Sequence, residues 1–209
     1  MRLNREAYPV TVLGPGRRYG IWVQGCARRC PGCASSDTWD YDGGEETGFS
    51  ELASRIVAAS KAEGLIGLTV TGGEPLDQVQ ELCELIATVK GVLGDGFDVL
   101  VFTGNPVEEI PEDSPIFACA DAMVCGPYMR EIPGRGTLIA TGNQELLLLT
   151  DLAKDRYDAD YLAKGVSLQA SADGREITLV GIPEAGTLDR LEQLLLEKGV
   201  TLGDCSWKN

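Results

Sequence analysis

The sequence contains no histidine among its 209 residues. Catalytic triads of the Ser-His-Asp type, Cys-His nucleophile pairs and zinc sites with imidazole ligands all require that side chain. Those mechanisms are therefore excluded, and the chemistry must rest on other residue types.

Long apolar segments are missing as well. The longest runs, such as Leu146–Leu149, are far shorter than the roughly 20 residues that cross a bilayer, and the N-terminus has no apolar signal region. We expect a cytoplasmic protein without a membrane partner. Thiols stay reduced in that compartment, so the seven cysteines, three of them clustered, indicate metal or redox chemistry rather than a disulfide framework.

Basic residues are scarce: 18 lysines and arginines face 32 aspartates and glutamates, which gives a net charge of −14. Nucleic acids are bound by basic surfaces, so we expect no nucleic-acid partner. Four arginines near the cysteine cluster are a local exception, and they predict a positive patch that docks an acidic electron donor or partner. They are Arg17, Arg18, Arg28 and Arg29.

Strand and helix patterns alternate through the first two thirds of the chain. The predicted strands are Tyr19–Gly25, Leu65–Val70, Asp98–Thr103 and Ala120–Gly126. The predicted helices are Phe49–Glu63, with Ser50 as its N-cap, Asp77–Val92 and a short stretch at Val107–Ile110. This alternation is typical of an α/β fold with a parallel sheet, open or curled into a partial barrel. The length fits one domain over residues 1–209.

The pattern changes beyond Pro133. We interpret residues 10–150 as the core and residues 151–209 as an elaboration packed on the main sheet, with no clear period over 151–164. The elements predicted here are an apolar segment at Gln144–Thr150, a β-hairpin of Val166–Ser171 and Glu176–Gly181 with an Asp173-Gly174 turn, and an amphipathic helix at Leu188–Lys198 closed by Gly199.

Three cysteines follow the first predicted strand with the spacing C-x3-C-x2-C: Cys26, Cys30 and Cys33. The turns between them let three thiolates face one cluster. An electron-transfer ferredoxin usually supplies four cysteine ligands, so three at this spacing favour an iron–sulfur cluster with one iron left open. The cysteines alone also allow a zinc knuckle, completed by Cys125 or Cys205.

A second motif, Gly72-Gly73-Glu74-Pro75, stands where the second predicted strand ends and a helix begins. Open α/β sheets bind ligands at this position. The two glycines allow backbone groups to approach a ligand closely, and Glu74 can accept hydrogen bonds from an ammonium group. Together with the cysteine loop, this motif favours the cluster over zinc.

The two motifs resemble those of the radical S-adenosylmethionine (SAM) superfamily, and within it those of the activases of glycyl-radical enzymes such as anaerobic ribonucleotide reductase. The likeness spans about residues 10–150. It is carried by GPGRRYGIWVQGCARRCPGCASSDTWD at 14–40, which includes the diagnostic Trp39, and by LTVTGGEPLDQ at 68–78, VLVFTGN at 99–105, ADAMVCGPYMRE at 120–131 and TGNQELLLLT at 141–150. The resemblance implies a partial (βα) barrel of radical SAM type, elaborated by the C-terminal hairpin and helix.

The resemblance also implies a mechanism. Cys26, Cys30 and Cys33 would bind three irons of a [4Fe–4S] cluster, while the amino and carboxylate groups of SAM chelate the fourth. An electron from a flavodoxin- or ferredoxin-type reductant would then cleave SAM to methionine and a 5′-deoxyadenosyl radical, which abstracts hydrogen from the target. The implied target is a glycyl-radical enzyme or another protein or peptide.

The same resemblance assigns the SAM pocket. Gly72, Gly73 and Glu74 would hold the methionine amino group, the backbone of Gly32–Ala34 would meet the adenine, and Thr103 would face the ribose or the sulfonium.

Two positions depart from the activase group, which often has an aromatic residue after the third cysteine and an arginine after the Asn-Gln pair. This chain has Ala34 and Glu145 there. Two further functions therefore stay open beside the activase: direct modification of a peptide, protein side chain or small metabolite, and a non-catalytic zinc or Fe–S binding module.

Other candidates are weaker. Later strand ends place Gly126, Asn143 and Gln144 where they can line a pocket, although a turn or core role is the simpler interpretation. The remaining cysteines are predicted to pack in the core or to be spectators, since buried cysteine is common. They are Cys83, Cys119, Cys125 and Cys205.

Overall fold

A computed structural model describes residues 1–165, 168–174, 176–183, 186–203 and 205 of the chain. The described residues form a seven-stranded mixed sheet in the order β3-β1-β2-β4-β5-β6-β7 and a separate two-stranded sheet, β8-β9. The strands are β1 (Arg2–Val10), β2 (Arg18–Val23), β3 (Glu45–Glu46), β4 (Gly67–Gly72), β5 (Asp98–Thr103), β6 (Ala122–Cys125), β7 (Glu145–Leu148), β8 (Leu168–Asp173) and β9 (Glu176–Gly181).

Helices connect the strands. They are α1 (Phe49–Glu63), α2 (Val79–Leu93), α3 (Ile116–Cys119), α4 (Asp151–Arg156), α5 (Ala159–Leu162) and α6 (Thr187–Glu197), with short 3₁₀ helices at Ser36–Thr38, Pro75–Gln78 and Val107–Glu109. Within the described part of the chain, no helix combines the length and the apolar character that a bilayer crossing requires.

The centre of the main sheet is parallel, as predicted, because β2, β4, β5 and β6 pair in that sense. The apolar sides of α1 and α2 bury one face of these strands in a single core that includes Leu52, Ile56, Leu82 and Leu85. The α/β class is therefore confirmed. Curling into a partial barrel stays a prediction.

Both flanks of the sheet differ from the prediction. Strand β1 was not predicted, and it pairs antiparallel with β2, while β7 pairs antiparallel with β6. Hydrophobic periodicity in the sequence does not predict β1, because several of its side chains are polar and bond to partners that are distant in sequence. Glu6, for example, accepts hydrogen bonds from the Tyr19 hydroxyl and from Arg55 Nη2, the latter at 2.7 Å.

Helix α1 has the predicted bounds but not the predicted N-cap. Gly48 occupies that position, and Ser50 is the second residue of the helix, where its carbonyl accepts from the Ser54 hydroxyl at 2.9 Å. Glycine is tolerated at an N-cap, so the hydroxyl of Ser50 is not needed there. The helix ends at Gly64, whose φ of 63° is the left-handed conformation that glycine adopts freely.

The C-terminal region differs from the prediction in some of its elements. Residues 151–164, which lack a clear period, contain α4 and α5, while the hairpin and the amphipathic helix are confirmed. In the hairpin, the backbone of Asp173 pairs with that of Glu176, so Asp173 belongs to the first strand and not to the turn, where it was predicted. Residues 166 and 167 of the predicted first strand lie outside the described residues. Gly199 closes α6 with a left-handed φ of 77°.

A buried ion pair joins the amino ends of the parallel strands. Arg18 on β2 and Asp98 on β5 are both fully buried, and their two hydrogen bonds measure 3.0 Å (Nη1 to Oδ1) and 2.9 Å (Nη2 to Oδ2). The other guanidinium donors reach the Thr69 hydroxyl and the carbonyls of Pro15 and Leu68. Every donor of this arginine is thus satisfied, which a buried charge requires.

The carboxylate of Asp98 is equally saturated. Besides Arg18, it accepts hydrogen bonds from Arg156 and, at 2.8 Å, from the Tyr157 hydroxyl, both at the end of α4. Helix α4 therefore closes this end of the sheet.

Gly67 on β4 is what allows the ion pair to form across a strand. In register, Arg18 pairs with Gly67 and Gly67 pairs with Asp98, so the glycine lies between the two charges. A Cβ atom at Gly67 would lie 2.5 Å from Arg18 Nη1 and 2.7 Å from Cζ. Because Gly67 has no side chain, the guanidinium of Arg18 can occupy the space beside β4.

We predict that Gly67→Ala lowers the free energy of unfolding by about 3 kcal/mol, because it displaces a fully buried, fully bonded arginine. Urea unfolding of the cluster-free protein measures this. The control is Gly91→Ala, on the exposed side of α2 with nothing within 4 Å of the added Cβ, which should leave stability equal or raise it by about 0.5–1 kcal/mol. Equal losses in both variants would contradict the role of Gly67.

The ion pair also predicts a pH dependence. Burial alone would raise the pKa of Asp98, but the charge of Arg18 and the hydrogen bonds from Arg18, Tyr157 and Arg156 outweigh it and hold the pKa below its ordinary value. A lowered pKa gives stability that is complete above the unfolded value of about 4 and is lost as pH falls through the folded value.

Asp98→Asn should therefore cost about 3 kcal/mol at pH 7, and the difference from the unaltered chain should shrink below about pH 4. Unfolding free energies of both proteins between pH 7 and pH 3 test this. A difference that stays constant down to pH 3 would show that the carboxylate charge is not what stabilises the fold.

Candidate active site

The candidate site is a cavity at the carboxyl ends of the parallel strands, opposite the Arg18–Asp98 pair. Its volume is about 350 Å³. The structure brings to its lining all the cluster and SAM-pocket residues that the resemblance assigns: Cys26, Cys30, Gly32, Cys33, Ala34, Gly72, Gly73, Glu74 and Thr103.

The cysteine loop leaves the end of β2 and returns to it. Its two ends are joined by hydrogen bonds from Gly25 N to Thr38 O at 2.8 Å and from Cys26 N to Trp39 O at 3.1 Å. Within the loop, Cys33 N donates to Cys30 O at 3.1 Å. A long irregular segment is thereby closed into a compact loop with all three thiols on the cavity.

Hydrogen-bond donors surround two of the sulfurs. The backbone amides of Arg29 and Arg28 lie beside Cys26, and the Ser35 amide and the Trp39 indole lie beside Cys33. Burial raises the pKa of both thiols, and these donors oppose it. Such donors stabilise thiolate sulfur and tune the reduction potential of a cluster bound to it.

The glycines of the second motif contact the cysteine loop directly. Gly73 N donates to Val23 O and Glu74 N donates to Gly25 O, both at 2.8 Å. A Cβ on Gly73 would lie 2.2 Å from Gly25 O, and a Cβ on Gly72 would lie 2.7 Å from Val23 O. The sequence suggested glycine for close approach to a ligand, and the structure adds a nearer reason, since the two motifs meet backbone to backbone.

Glu74 is a buried carboxylate without a cationic ion-pair partner in the described part of the chain. It accepts hydrogen bonds from Leu76 N (3.0 Å), the Thr103 hydroxyl (2.7 Å) and Gly104 N (2.9 Å). Burial raises its pKa, and the three donors only partly offset this. Two donors share Oε1 and one reaches Oε2, so Oε2 keeps an acceptor position free.

Thr103 lines the cavity at the end of β5, but its hydroxyl is fully committed. It donates to Glu74 and accepts from the backbone N and the Nδ2 of Asn105, each at 3.1 Å. A hydroxyl has one donor and two acceptor sites, so this one fixes Glu74 and the β5 loop.

The predicted positive patch is not formed. Arg18 is buried beneath the sheet, Arg17 pairs with Glu63 at 2.7 Å, and Arg28 pairs with Glu109. Neighbouring carboxylates therefore neutralise three of the four arginines, and only Arg29 stays exposed without an ion pair among the described residues. Arg28 instead connects two loops. Its guanidinium also donates to Asn105 Oδ1 at 2.7 Å and so links the cysteine loop to the loop after β5.

The structure places only some of the weaker candidate residues in the lining of the cavity. Gly126 and Gln144 line the cavity, and Gln144 Nε2 donates to Gly126 O at 3.0 Å, whereas Asn143 lies outside the lining and donates to Pro127 O. Cys125 is buried, and burial raises the pKa of its thiol to about 12. Cys83 and Cys119 contact the core, as predicted.

Sequence reasoning missed the opposite wall of the cavity. Part of the lining comes from the C-terminal hairpin and the start of α6, including Leu179, Val180, Ile182, Pro183 and Leu188. No local signal marks these residues as part of a site, because they reach the cysteine loop from about 150 positions away in sequence.

The chain is similar in sequence to known proteins. Residues 12–147 match the family of the 4Fe-4S single cluster domain, which is well over half of the chain. The chain belongs to this family. The match supports an iron–sulfur cluster as cofactor.

Curated relatives agree with this family. The anaerobic ribonucleoside-triphosphate reductase-activating protein of Enterobacteria phage T4 is 32% identical over 145 residues, which cover 67% of this chain and 89% of that protein. The protein of the same name from Salmonella typhimurium is 32% identical over 110 residues, or 50% and 70% of the two chains. The pyruvate formate-lyase-activating enzyme of Listeria monocytogenes is 39% identical over 83 residues, or 38% and 33%. The resemblance to the radical SAM activase group is thereby confirmed, and the chain is an enzyme of that group.

We predict that Gly73→Ala separates the two motifs, because its Cβ cannot fit against the Gly25 carbonyl. Iron bound per chain after anaerobic reconstitution should fall well below that of the unaltered protein, with a stability loss of about 2 kcal/mol. Gly91→Ala is again the control. Unchanged iron content in Gly73→Ala would contradict the contact's importance.

Proposed function

We propose that this protein holds a [4Fe–4S] cluster on Cys26, Cys30 and Cys33, cleaves SAM reductively and so activates a glycyl-radical enzyme. The observation that carries the proposal is that the three cysteines and the Gly72-Gly73-Glu74 motif line one cavity.

The donor set fits a cluster better than a single metal ion. Among the residues that the structure describes, no three His, Cys, Asp or Glu side chains are grouped to hold one ion. In a cluster each thiolate binds a different iron, so the sulfurs need not converge on one atom. Cys205 is not among the cavity's lining residues, and Cys125 is buried behind it. Neither supports the zinc alternative.

The second motif fits the polar end of SAM. Glu74 would accept a hydrogen bond from the amino group through the open position on Oε2, and a cation there would relieve the burial that raises the pKa of this carboxyl. Thr103 positions Glu74 instead of meeting the ligand through its hydroxyl. Gly32 and Ala34, at the exposed edge of the cysteine loop, would face the adenine.

When bound, the cluster and SAM together supply a 5′-deoxyadenosyl radical by one-electron cleavage of the sulfonium. The chain's own contribution is orientation and exclusion of water. Trp22, Leu13 and Phe102 cover one side of the cavity with apolar surface, and the hairpin covers the other. No residue is required as a general base, which is consistent with a sequence without histidine.

The target and the reductant rest on the relatives. Two of them are named for activating anaerobic ribonucleoside-triphosphate reductase and one for activating pyruvate formate-lyase. We therefore propose a protein target of the glycyl-radical type and a flavodoxin- or ferredoxin-type reductant. Because Arg17, Arg18 and Arg28 do not form the predicted positive patch, the reductant would dock at a surface that these three arginines do not make basic.

One observation favours a second candidate, direct modification of a peptide, protein side chain or small metabolite. The hairpin and α6 line the cavity but lie beyond residue 147, where the family match ends. A glycyl-radical signal on a partner protein, read by electron paramagnetic resonance, would favour the activase over direct modification.

Anaerobic reconstitution with iron and sulfide, followed by dithionite and SAM, tests the proposal. The unaltered protein should form 5′-deoxyadenosine and methionine in equal amounts. Cys30→Ala should abolish this, because the cluster loses one of its three ligands, whereas Cys205→Ala should have no effect. Absence of 5′-deoxyadenosine from the unaltered, iron-loaded protein would overturn the proposed function.

A further inference from the structure

A second, smaller cavity adjoins the active-site cavity. Its volume is about 190 Å³, and it shares Ala34 of the cysteine loop and several hairpin residues with the larger one. The shared lining comprises Arg5, Ala34, Leu179, Gly181, Pro183 and Leu188. The two adjoining cavities are together called the groove, with the larger one as its inner part and the smaller one as its outer part.

Of the positions proposed for SAM, Ala34 lines both parts of this groove, and the others line only the inner part. Cys26, Gly73, Glu74 and Thr103 line only the larger cavity, and none lines the smaller one. The outer part is thus left for whatever donates hydrogen to the radical.

Aliphatic side chains predominate in the outer part of the groove. Among the described residues, Leu168, Ile177, Leu179 and Leu188 line it, and the polar side chains are those of Arg5 and Thr178. The arginine is already engaged, because it forms an ion pair with Asp37 and lies 4.8 Å above the centre of the Trp22 ring. A small polar metabolite needs several convergent polar groups, whereas the described part of the lining has two polar side chains, one of them already engaged.

The wall is held firmly against the main sheet. Gln169 of β8 accepts a hydrogen bond from Thr11 N at 3.0 Å and donates one to Pro9 O at 2.7 Å. Val180 of β9 is buried with Val10 and Trp22. The groove is therefore a built part of the fold. Its outer end reaches solvent, since Ile177 is 40% exposed.

We propose that the hairpin and the first turn of α6 select the hydrogen donor, and that this donor is a polypeptide segment with an aliphatic side chain beside the reacting residue. This proposal rests on the proposed function, because the groove can select a hydrogen donor only if the radical forms in the inner cavity. An uncharged segment suits a chain of net charge −14 better than an acidic one. Ile177, Leu179 and Leu188 are then specificity-determining residues.

The test measures binding of two fluorescein-labelled heptapeptides to the anaerobically reconstituted, SAM-loaded full chain by fluorescence anisotropy. One peptide carries leucine on both sides of a central glycine, and the other carries serine there. We expect the leucine peptide to bind at least about tenfold more tightly, the usual worth of an aliphatic group in an apolar pocket.

Variants locate the effect. Ile177→Asn and Leu188→Asn should each weaken the leucine peptide about tenfold and leave the serine peptide unchanged. The matched control is Leu194→Asn, which alters a leucine of α6 that is 46% exposed and lines neither cavity. Because Ile177 is an exposed strand residue, its variant should fold even if Leu188→Asn does not.

Three results would overturn the proposal: equal affinity for the two peptides, no binding of either, or an equal effect of Leu194→Asn and Ile177→Asn. Tighter binding of a labelled decanoyl chain than of the leucine peptide would also overturn it, in favour of a lipid. Formation of 5′-deoxyadenosine without peptide is measured in parallel. It reports on the proposed function alone, so the two failures are distinguishable.

Discussion

The ion pair between Arg18 and Asp98 is the constraint on which the site depends. It joins β2 to β5 across Gly67 of β4, at the amino end of all three strands. Each of these strands is six residues long. Strands that start in one row and have equal length also end in one row, because the rise per residue is the same. The cysteine loop, the double glycine and Thr103 are therefore delivered to one edge by an interaction about a strand's length away.

The same ion pair explains how a strongly acidic chain uses its few arginines. Instead of forming a docking surface, Arg18 and Arg156 neutralise a buried carboxylate, and Arg28 braces the cysteine loop against the loop that follows β5. The single carboxylate left buried without a cation is Glu74, as far as the described residues show. The cavity thus presents a negative end to a ligand, which suits the ammonium and sulfonium charges of SAM.

Much of this arrangement is readable in the sequence, because it depends on short-range patterns. The C-x3-C-x2-C loop, the GGEP turn, α1 and the four central strands all follow from local spacing and periodicity. Strand β1 does not, since its polar side chains are satisfied by partners such as Tyr19 and Arg55 that only the fold brings near. The ion pairs that cancel the positive patch, and the hairpin wall of the cavity, are long-range contacts of the same kind. Arg18 in particular looked like a surface charge, and only the gap left by Gly67 makes its burial possible.

The hairpin has a consequence for how such a protein can change. The parts proposed to hold the two cofactors lie between residues 26 and 103, and their backbones interlock through Gly25 and Gly73, so neither motif can shift without the other. The outer groove is instead built largely by residues 168–188, which meet the sheet through a few side-chain contacts. The proposed radical formation and the proposed target choice thus depend on separate stretches of the chain. A duplicated copy can drift toward a new target through its last fifth while its chemistry stays fixed.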